Sequence, residues 1–200
     1  MLDLLSMASY RVQPASCWSC HVPVSEVLCQ SCGKVQPAQG EANYFRVLGQ
    51  EETFALNVAQ LQRKFRELQR VLHPDKFANC SEEEKTYSAD QSALVNQAYQ
   101  VLLKPIQRAT YLLKINGITL DDVKLPSEFL FEMMDFNEKI DEAAGEQERG
   151  ALLEQVKLLQ EATLADLQQS FSNKQTTKAS EHLAKLKYFD NLAERLAKKS

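Results

Sequence analysis

The sequence predicts an all-α protein, and three features of the 200-residue chain support this fold class. From Asn43 onward, apolar residues recur at the helical period of about 3.6 residues, and no stretch alternates as a half-buried strand would. Proline and glycine breaks separate the periodic stretches by short connections. Four clustered cysteines precede them, in a segment without helical periodicity. We therefore expect a small metal-binding segment, a helical domain and an antiparallel three-helix bundle.

The helical region divides near residues 115–126. There Asn116-Gly117 suits a left-handed helix stop, and Pro126 suits the first position of a new helix. Ser81 and Glu84 form an N-terminal capping pair. The predicted helices span 43–48, 58–72, 82–103, 105–115, 126–144, 147–171 and 175–198. The predicted domains are a cysteine segment at 17–33, a helical domain at 42–115 and a bundle at 126–198.

Composition limits the function classes. Hydrophobic residues make up 44% and charged residues 25%, as in soluble globular proteins. A net charge of -4 argues against a general nucleic-acid binder, which needs a basic surface. No apolar run reaches the roughly 18 residues of a membrane span, so we expect no membrane partner. The first ten residues lack the features of a secretory signal, and they are too short and too poor in arginine for a mitochondrial presequence.

The cysteine spacing is Cys17-x-x-Cys20 followed by Cys29-x-x-Cys32, and Cys80 stands apart as a residue flanking a helix. Two CxxC pairs supply four thiolates, which is the ligand set of tetrahedral zinc. Gly33 suits a tight turn after the second pair. We predict one zinc ion on these four cysteines, although iron in a rubredoxin-like site has the same ligands. Four clustered cysteines and one apart do not resemble a secreted disulfide framework.

The helix predicted at 58–72 is amphipathic and basic. Its predicted core stripe comprises Val58, Leu61, Phe65, Leu68 and Leu72. Four basic residues against one acid, Glu67, give this helix a charge of +3 in an acidic chain. A run of charges can simply be a solvated helix face, but this imbalance of sign favours a docking surface for an acidic partner. Its members are Arg63, Lys64, Arg66 and Arg70.

His73-Pro74-Asp75 follows this helix, because Pro74 prevents the helix from continuing. The basic helix, this tripeptide and the later run Asn96-Gln97-Ala98-Tyr99 with Leu102 together resemble the J-domain family. The resemblance covers about residues 42–114. It implies that the tripeptide, here called the HPD loop, and the basic helix dock on a heat-shock protein 70 family chaperone and stimulate its ATPase. No nucleophile or oxyanion site is recognisable beside the loop, so we expect no enzyme activity.

The helix that begins at Pro126 carries two apolar faces. Its core stripe is Phe129, Met133, Phe136 and Ile140. Leu130, Phe131 and Met134 point elsewhere, edged by acids, and such a patch indicates either an interaction site or a further packing surface. In the last helix the predicted core residues are Leu183, Leu186, Phe189, Ala193 and Leu196, and Tyr188 lies off that stripe.

Together, the cysteine pairs, the J-domain and the acidic bundle resemble the HscB-type iron–sulfur co-chaperones, whose animal forms carry a similar zinc knuckle. The resemblance implies a mitochondrial matrix protein that presents an iron–sulfur scaffold protein (IscU type) to a mitochondrial chaperone, while the sequence itself leaves the cytoplasm open as its location. It implies a scaffold-binding surface formed by Leu130, Phe131, Met134, Asp135, Glu138, Glu142 and Tyr188.

Two other classes compete with this interpretation. A zinc-ribbon nucleic-acid binder would need more basic and aromatic residues around the cysteines than Trp18, His21 and Lys34. A thiol oxidoreductase would use one CxxC pair at a helix start rather than two in tandem. The sequence leaves open a homodimer, the choice of chaperone and the role of the metal site.

Overall fold

The computed structural model describes residues 15–24, 26–38, 42–120 and 123–198, and it confirms the all-α fold class. A two-stranded antiparallel pair, β1 (Ala15–Ser16) and β2 (Pro23–Val24), lies in the cysteine segment. A short 3-10 helix spans Pro74–Phe77. The α-helices of the described residues are α1 (Tyr44–Val47), α2 (Val58–Val71), α3 (Glu82–Leu103), α4 (Pro105–Ile115), α5 (Ser127–Glu142), α6 (Glu146–Ser172) and α7 (Thr176–Lys198).

Local signals explain why the helix bounds lie within two residues of those predicted. Asn43 caps α1 through its side-chain oxygen, which accepts from the amides of Phe45 and Arg46. The Ser81 hydroxyl accepts from the Glu84 amide at 3.3 Å, as the capping pair predicts. Gly117 follows α4 at φ 74°, the left-handed conformation that stops a helix.

The chain folds as two compact units. The first comprises the described residues up to Gln50 together with Ala59–Tyr99, and the second comprises Glu51–Val58 and the described residues from Gln100 onward. In the first unit the aromatic rings of Phe65 and Tyr99 stack with centroids 4.0 Å apart. Its buried apolar side chains lie on α1, α2 and α3, directly after α1 and α2, and beside the cysteines, and they include Phe45, Leu48, Leu61, Leu72, Val95, Ala98 and Val35. The domain bounds predicted from the sequence stay a prediction.

One predicted core residue of α2 is not buried. Val58 is 40% exposed, whereas Leu61, Leu68 and Leu72 are buried and Phe65 is half-buried. Val58 is the first residue of the helix, and the buried stripe begins one turn later. The prediction for Val58 was wrong because helical periodicity places a residue on a face without showing how far along the helix the core extends.

The second unit contains the three-helix bundle of α5, α6 and α7. Arg149 near the start of α6 donates to the carbonyl of Leu196 near the end of α7 at 3.1 Å. Ser170 near the end of α6 contacts His182 near the start of α7 at 3.2 Å, so these two helices run antiparallel as predicted. The bundle core of buried residues comprises Phe129, Met133, Ile140, Val156, Phe189, Leu192 and Leu196.

The bundle core differs from the predicted one at Phe136 of α5, which is only partly buried at its edge, and at one turn of α7. Leu192 is buried, whereas the predicted Ala193 lies only partly buried at the edge of the core. Both positions fall near the predicted stripe, and the larger side chain occupies the core. In the same unit, α4 packs on α7, and the buried Arg108 places its guanidinium 5.0 Å from the ring centre of Phe54. Burial lowers the pKa of Arg108.

Candidate functional site

The four clustered cysteines converge in space. Their sulfur atoms all lie within 4.8 Å of one another. The Cys17 and Cys32 sulfurs are 3.6 Å apart, as are those of Cys20 and Cys29. Four thiolates around one zinc ion at about 2.3 Å are separated by about 3.8 Å, so this arrangement fits a tetrahedral zinc site. The cysteines can hold a metal ion, as their spacing predicts.

Two turns of matching geometry position these sulfurs. The His21 amide donates to the Cys17 carbonyl at 2.9 Å, and the Gly33 amide donates to the Cys29 carbonyl at 2.8 Å. His21 and Gly33 both adopt left-handed backbone conformations, with φ at 62° and 73°. The turn predicted at Gly33 is confirmed. His21 is exposed and occupies the matching position in the first turn.

The thiols differ in their proton affinity. Burial raises the pKa of Cys17, but hydrogen bonds from the amides of Cys20 and Ser19 outweigh it and lower that pKa to about 6. The Lys34 amide lowers the pKa of Cys32, but burial and the neighbouring sulfurs outweigh it and raise that pKa to about 12. Binding of a metal ion would displace the protons that the thiols carry.

The HPD loop is exposed between α2 and α3. The side chains of His73 and Asp75 are 59% and 90% accessible to solvent. His73 also caps the 3-10 helix, since its Nδ1 atom accepts from the Asp75 amide at 3.4 Å. Pro74 occupies the first position of this 3-10 helix, where its missing amide proton is not needed. The loop is therefore held by local hydrogen bonds while its side chains face solvent.

The basic side chains predicted on α2 are accessible. Arg63, Arg66 and Arg70 are exposed, and Lys64 is half-buried. The Lys64 ammonium lies 3.9 Å from the Glu67 carboxylate, the single acid of this helix. Because this ion pair lies at the surface, it contributes little stability and leaves Lys64 able to contact another molecule.

The second face of α5 is open to solvent. Phe131 is 66% exposed, Met134 is 58% exposed and Leu130 is 39% exposed, whereas Phe129 and Met133 of the same helix are buried. Three exposed acids border them, Asp135, Glu138 and Glu142. The sequence left open whether this second face packs inside the protein. In the structure it is exposed, and we call these residues together with Tyr188 the α5 surface.

Tyr188 of α7 adjoins this surface. Its ring meets the buried ring of Phe129 edge-on, with centroids 5.7 Å apart, while the residue remains 42% exposed. A groove of about 560 Å³ continues the surface. Sequence reasoning missed the groove, because its walls come from the connection after α4 and from α7. They are formed by Leu120, Val123, Lys124, Leu125, Leu130, Ala184, Lys187, Tyr188 and Asn191.

None of the helices in the described part of the chain is long and apolar enough to span a membrane.

Comparison with known proteins agrees with these features. A family model described as the DnaJ domain matches residues 43–111, and a model of the HSCB C-terminal oligomerisation domain matches residues 125–197. The human iron–sulfur cluster co-chaperone protein HscB is 34% identical over 188 residues, covering 90% of this chain and 80% of the human protein. The HscB homolog of Vibrio vulnificus YJ016 is 33% identical over 157 residues, covering 75% and 92% of the two chains.

Solved structures show the same relationship. The crystal structure of human HscB matches with a TM-score of 0.85 at 33% identity, over 92% of this chain and 98% of the human chain. HscB from Vibrio cholerae matches with a TM-score of 0.71 at 32% identity, over 79% and 97%. The helices around the HPD loop therefore form a J-domain, which makes the chain a J-domain co-chaperone. The chain belongs to the HscB family, the co-chaperones of iron–sulfur cluster biogenesis.

Proposed function

We propose that this co-chaperone binds an iron–sulfur scaffold protein through the α5 surface and delivers it to a heat-shock protein 70 family chaperone. The HPD loop then stimulates ATP hydrolysis by the chaperone, and the co-chaperone itself makes and breaks no bonds. The proposed scaffold-binding residues are Leu130, Phe131, Met134, Asp135, Glu138, Glu142 and Tyr188. The proposed domains are those given by the sequence, at 17–33, 42–115 and 126–198.

One observation carries the client-binding part of this proposal. Phe131 and Met134 are more than half exposed on a helix whose opposite face already fills the bundle core. Contiguous exposed apolar side chains with a polar rim are typical of protein–protein interaction sites. A flexible methionine beside a phenylalanine suits a partner surface of irregular shape. The acids on the rim would favour a basic partner face.

The chaperone-docking part rests on exposure and charge. His73, Pro74 and Asp75 are exposed, as a docking loop must be. The exposed α2 arginines stand in a chain of net charge -4, so they can attract an acidic face on a partner and orient it. We assign chaperone docking to Arg63, Lys64, Arg66 and Arg70.

We further propose that Cys17, Cys20, Cys29 and Cys32 hold one zinc ion. The sulfur separations fit four zinc–thiolate bonds, and zinc would stabilise a segment too short to form a core of its own. When bound, the ion supplies structural stability, since four thiolates leave no open position for a reacting ligand. Resemblance to the animal members supports a location in the mitochondrial matrix.

Replacing the HPD histidine tests the central claim. Single-turnover ATP hydrolysis by a mitochondrial heat-shock protein 70 family chaperone should accelerate with the native protein and lose this acceleration with His73→Gln. Glu161→Gln is the control, because Glu161 is an exposed residue of α6 and lies in the other packing unit. Equal acceleration by native protein and His73→Gln would refute the proposal.

A further inference from the structure

Helix α3 buries polar side chains along the first half of its inner face. Glu84, Ser88 and Gln91 are 6%, 3% and 6% exposed, and the spacing of four and three residues places them on one stripe. Farther along the helix the same stripe continues with the buried apolar residues Val95 and Ala98. A buried polar group without a partner destabilises a protein by about 1–3 kcal/mol, so each of these residues needs one.

The cysteine segment, taken from here on as residues 17–36, supplies partners for this polar stripe. The Lys34 ammonium lies 2.6 Å from the Glu84 carboxylate, which is itself only 8% exposed. The Gln91 side-chain amide donates to the Gln36 carbonyl at 3.0 Å. These contacts join residues that are 50 and 55 positions apart in the chain. The first half of α3 is therefore packed against the cysteine segment by polar contacts, one partly buried and one buried. We call this contact the α3 junction.

An aromatic contact strengthens the same junction. The ring of Trp18 meets the ring of Tyr87 edge-on, with centroids 5.7 Å apart. The Trp18 indole also donates to the Val35 carbonyl at 2.7 Å, which fixes its ring within the cysteine segment. Trp18 lies between two of the cysteines, so its position depends on the turn that holds their sulfurs.

Gln36 connects this junction to the sulfur cluster. The residue is 5% exposed, and its side-chain amide donates to the Cys17 sulfur at 3.4 Å and to the Lys34 carbonyl at 2.8 Å. An amide donor to a ligand sulfur orients that sulfur and stabilises its charge. Gln36 thus contacts the sulfur cluster with its side chain and α3 with its carbonyl.

Helix α3 also contacts the residue that precedes the HPD loop. The buried Ser88 hydroxyl donates to the Leu72 carbonyl at 3.2 Å, and Leu72 immediately precedes His73. A continuous series of contacts therefore leads from the Cys17 sulfur through Gln36 and Gln91 to α3, and from Ser88 to the start of the loop.

We propose that metal binding at the four cysteines positions the HPD loop through α3, with Gln36, Gln91 and Ser88 as positioning residues. This inference rests on the proposed metal site and on the proposed role of the loop. Without metal, the cysteine segment loses most of its stability, and Glu84 and Gln91 lose the partners that this segment provides. Coupling of binding energies is reciprocal, so weakening the α3 junction must also weaken metal binding.

Hydrogen exchange of the full chain tests this coupling without relying on activity. After zinc removal by a chelator, amides in residues 72–77 and 82–91 should exchange about tenfold faster, which corresponds to a loss of about 1.4 kcal/mol of local stability. Amides of α6 and α7 lie in the other packing unit and serve as the internal control. Unchanged exchange in 72–77 and 82–91 after verified zinc loss would overturn the inference.

Reciprocity gives a second test. Gln91→Met keeps the length of the side chain and removes its hydrogen bond, so affinity for Zn²⁺ in chelator competition should fall about fivefold. Gln97→Met is the matched control, because Gln97 is exposed on the same helix. Glu84→Gln, which removes the charge facing Lys34, should act in the same direction if Gln91→Met folds poorly. Equal zinc affinity in native protein and in the folded α3 variants would contradict the coupling.

The measurements separate this inference from the proposed function. A zinc content near one per chain supports the metal site, and unaltered α3 exchange after its removal would then refute the coupling alone. If the native protein binds no zinc, the proposed metal site fails. A third outcome is also informative. If Gln91→Met binds zinc as tightly as the native protein while His73→Gln loses ATPase stimulation, the role of the HPD loop is supported and the coupling is refuted.

Discussion

The α3 junction and the α5 surface depart from the usual burial pattern in opposite directions. At the junction, the polar side chains of Gln36, Glu84 and Gln91 are buried, whereas on α5 the apolar side chains of Phe131 and Met134 are exposed. The buried polar groups find hydrogen-bond partners inside the same packing unit. The exposed apolar groups face solvent within the described part of the chain.

The difference shows how each departure can be interpreted. Buried polar groups that are hydrogen-bonded hold two segments in one arrangement, so the junction points to a structural role. Burying one exposed phenylalanine or methionine gains about 2 kcal/mol, and here that gain requires a second molecule. The α5 surface therefore points to an interaction, and four experiments test this contrast.

The largest expected effect separates the two faces of α5. Replacing Leu130 and Phe131 together by alanine should weaken scaffold binding about a hundredfold or more, because such anchors each contribute about 2 kcal/mol. Stability should change by only about 0.5 kcal/mol, since these side chains are exposed. The control Phe129→Ala should destabilise the bundle by about 3–5 kcal/mol. Calorimetric titration and urea unfolding measure the two quantities, and a large stability loss in the double variant would identify Leu130 and Phe131 as core residues.

Metal binding should depend strongly on pH. The Cys32 thiol has a pKa raised to about 12 and is protonated at neutral pH, so zinc must displace its proton. Zinc affinity should therefore rise at least tenfold per pH unit between about pH 7 and 9. Below the Cys17 pKa of about 6 a further proton competes, and affinity should fall more steeply as pH decreases. Competition with a chelator of known pH dependence provides the measurement, and a flat profile would contradict thiolate ligation.

The acids on the rim should have a smaller effect than the apolar residues they border. Asp135→Asn with Glu138→Gln should lower the association rate of the scaffold protein about threefold to tenfold at low salt, with little change in its dissociation rate. Raising the salt concentration should remove most of the difference by screening. Glu161→Gln, an exposed acid on α6, is the control. A salt-independent loss of affinity would show that these acids make buried contacts.

The smallest effect concerns the two left-handed turns of the metal site. A residue with a Cβ atom is strained there by about 1 kcal/mol, and glycine is not. His21→Gly should raise zinc affinity about twofold, because the greater freedom of glycine in the unfolded chain offsets part of the gain. Gly33→Ala at the matching position should lower affinity by a similar factor, since space is available there for the added methyl group. Chelator competition measures both affinities. A fall with His21→Gly and a rise with Gly33→Ala would show that backbone strain does not limit zinc binding.

Local patterns predicted most of the fold. The capping pair at Ser81 and the break at Gly117 act within one helical turn, so they can be recognised without tertiary structure. The CxxC spacing likewise places the two cysteines of each pair on one turn, and all four sulfurs lie within 4.8 Å of one another. Exposure of Val58 and burial of Leu192 were missed, because both depend on where a neighbouring helix begins or ends.

The helices, the cysteine site, the HPD loop and the second apolar face of α5 could be predicted from the sequence, because each is specified by residues close together in the chain. The exposure of this second face and the packing of the cysteine segment against α3 became evident from the fold. The partners of Glu84 and Gln91 come from residues 50 and 55 positions away. Helical periodicity places a side chain on a face of its helix, whereas its partner depends on how distant segments pack.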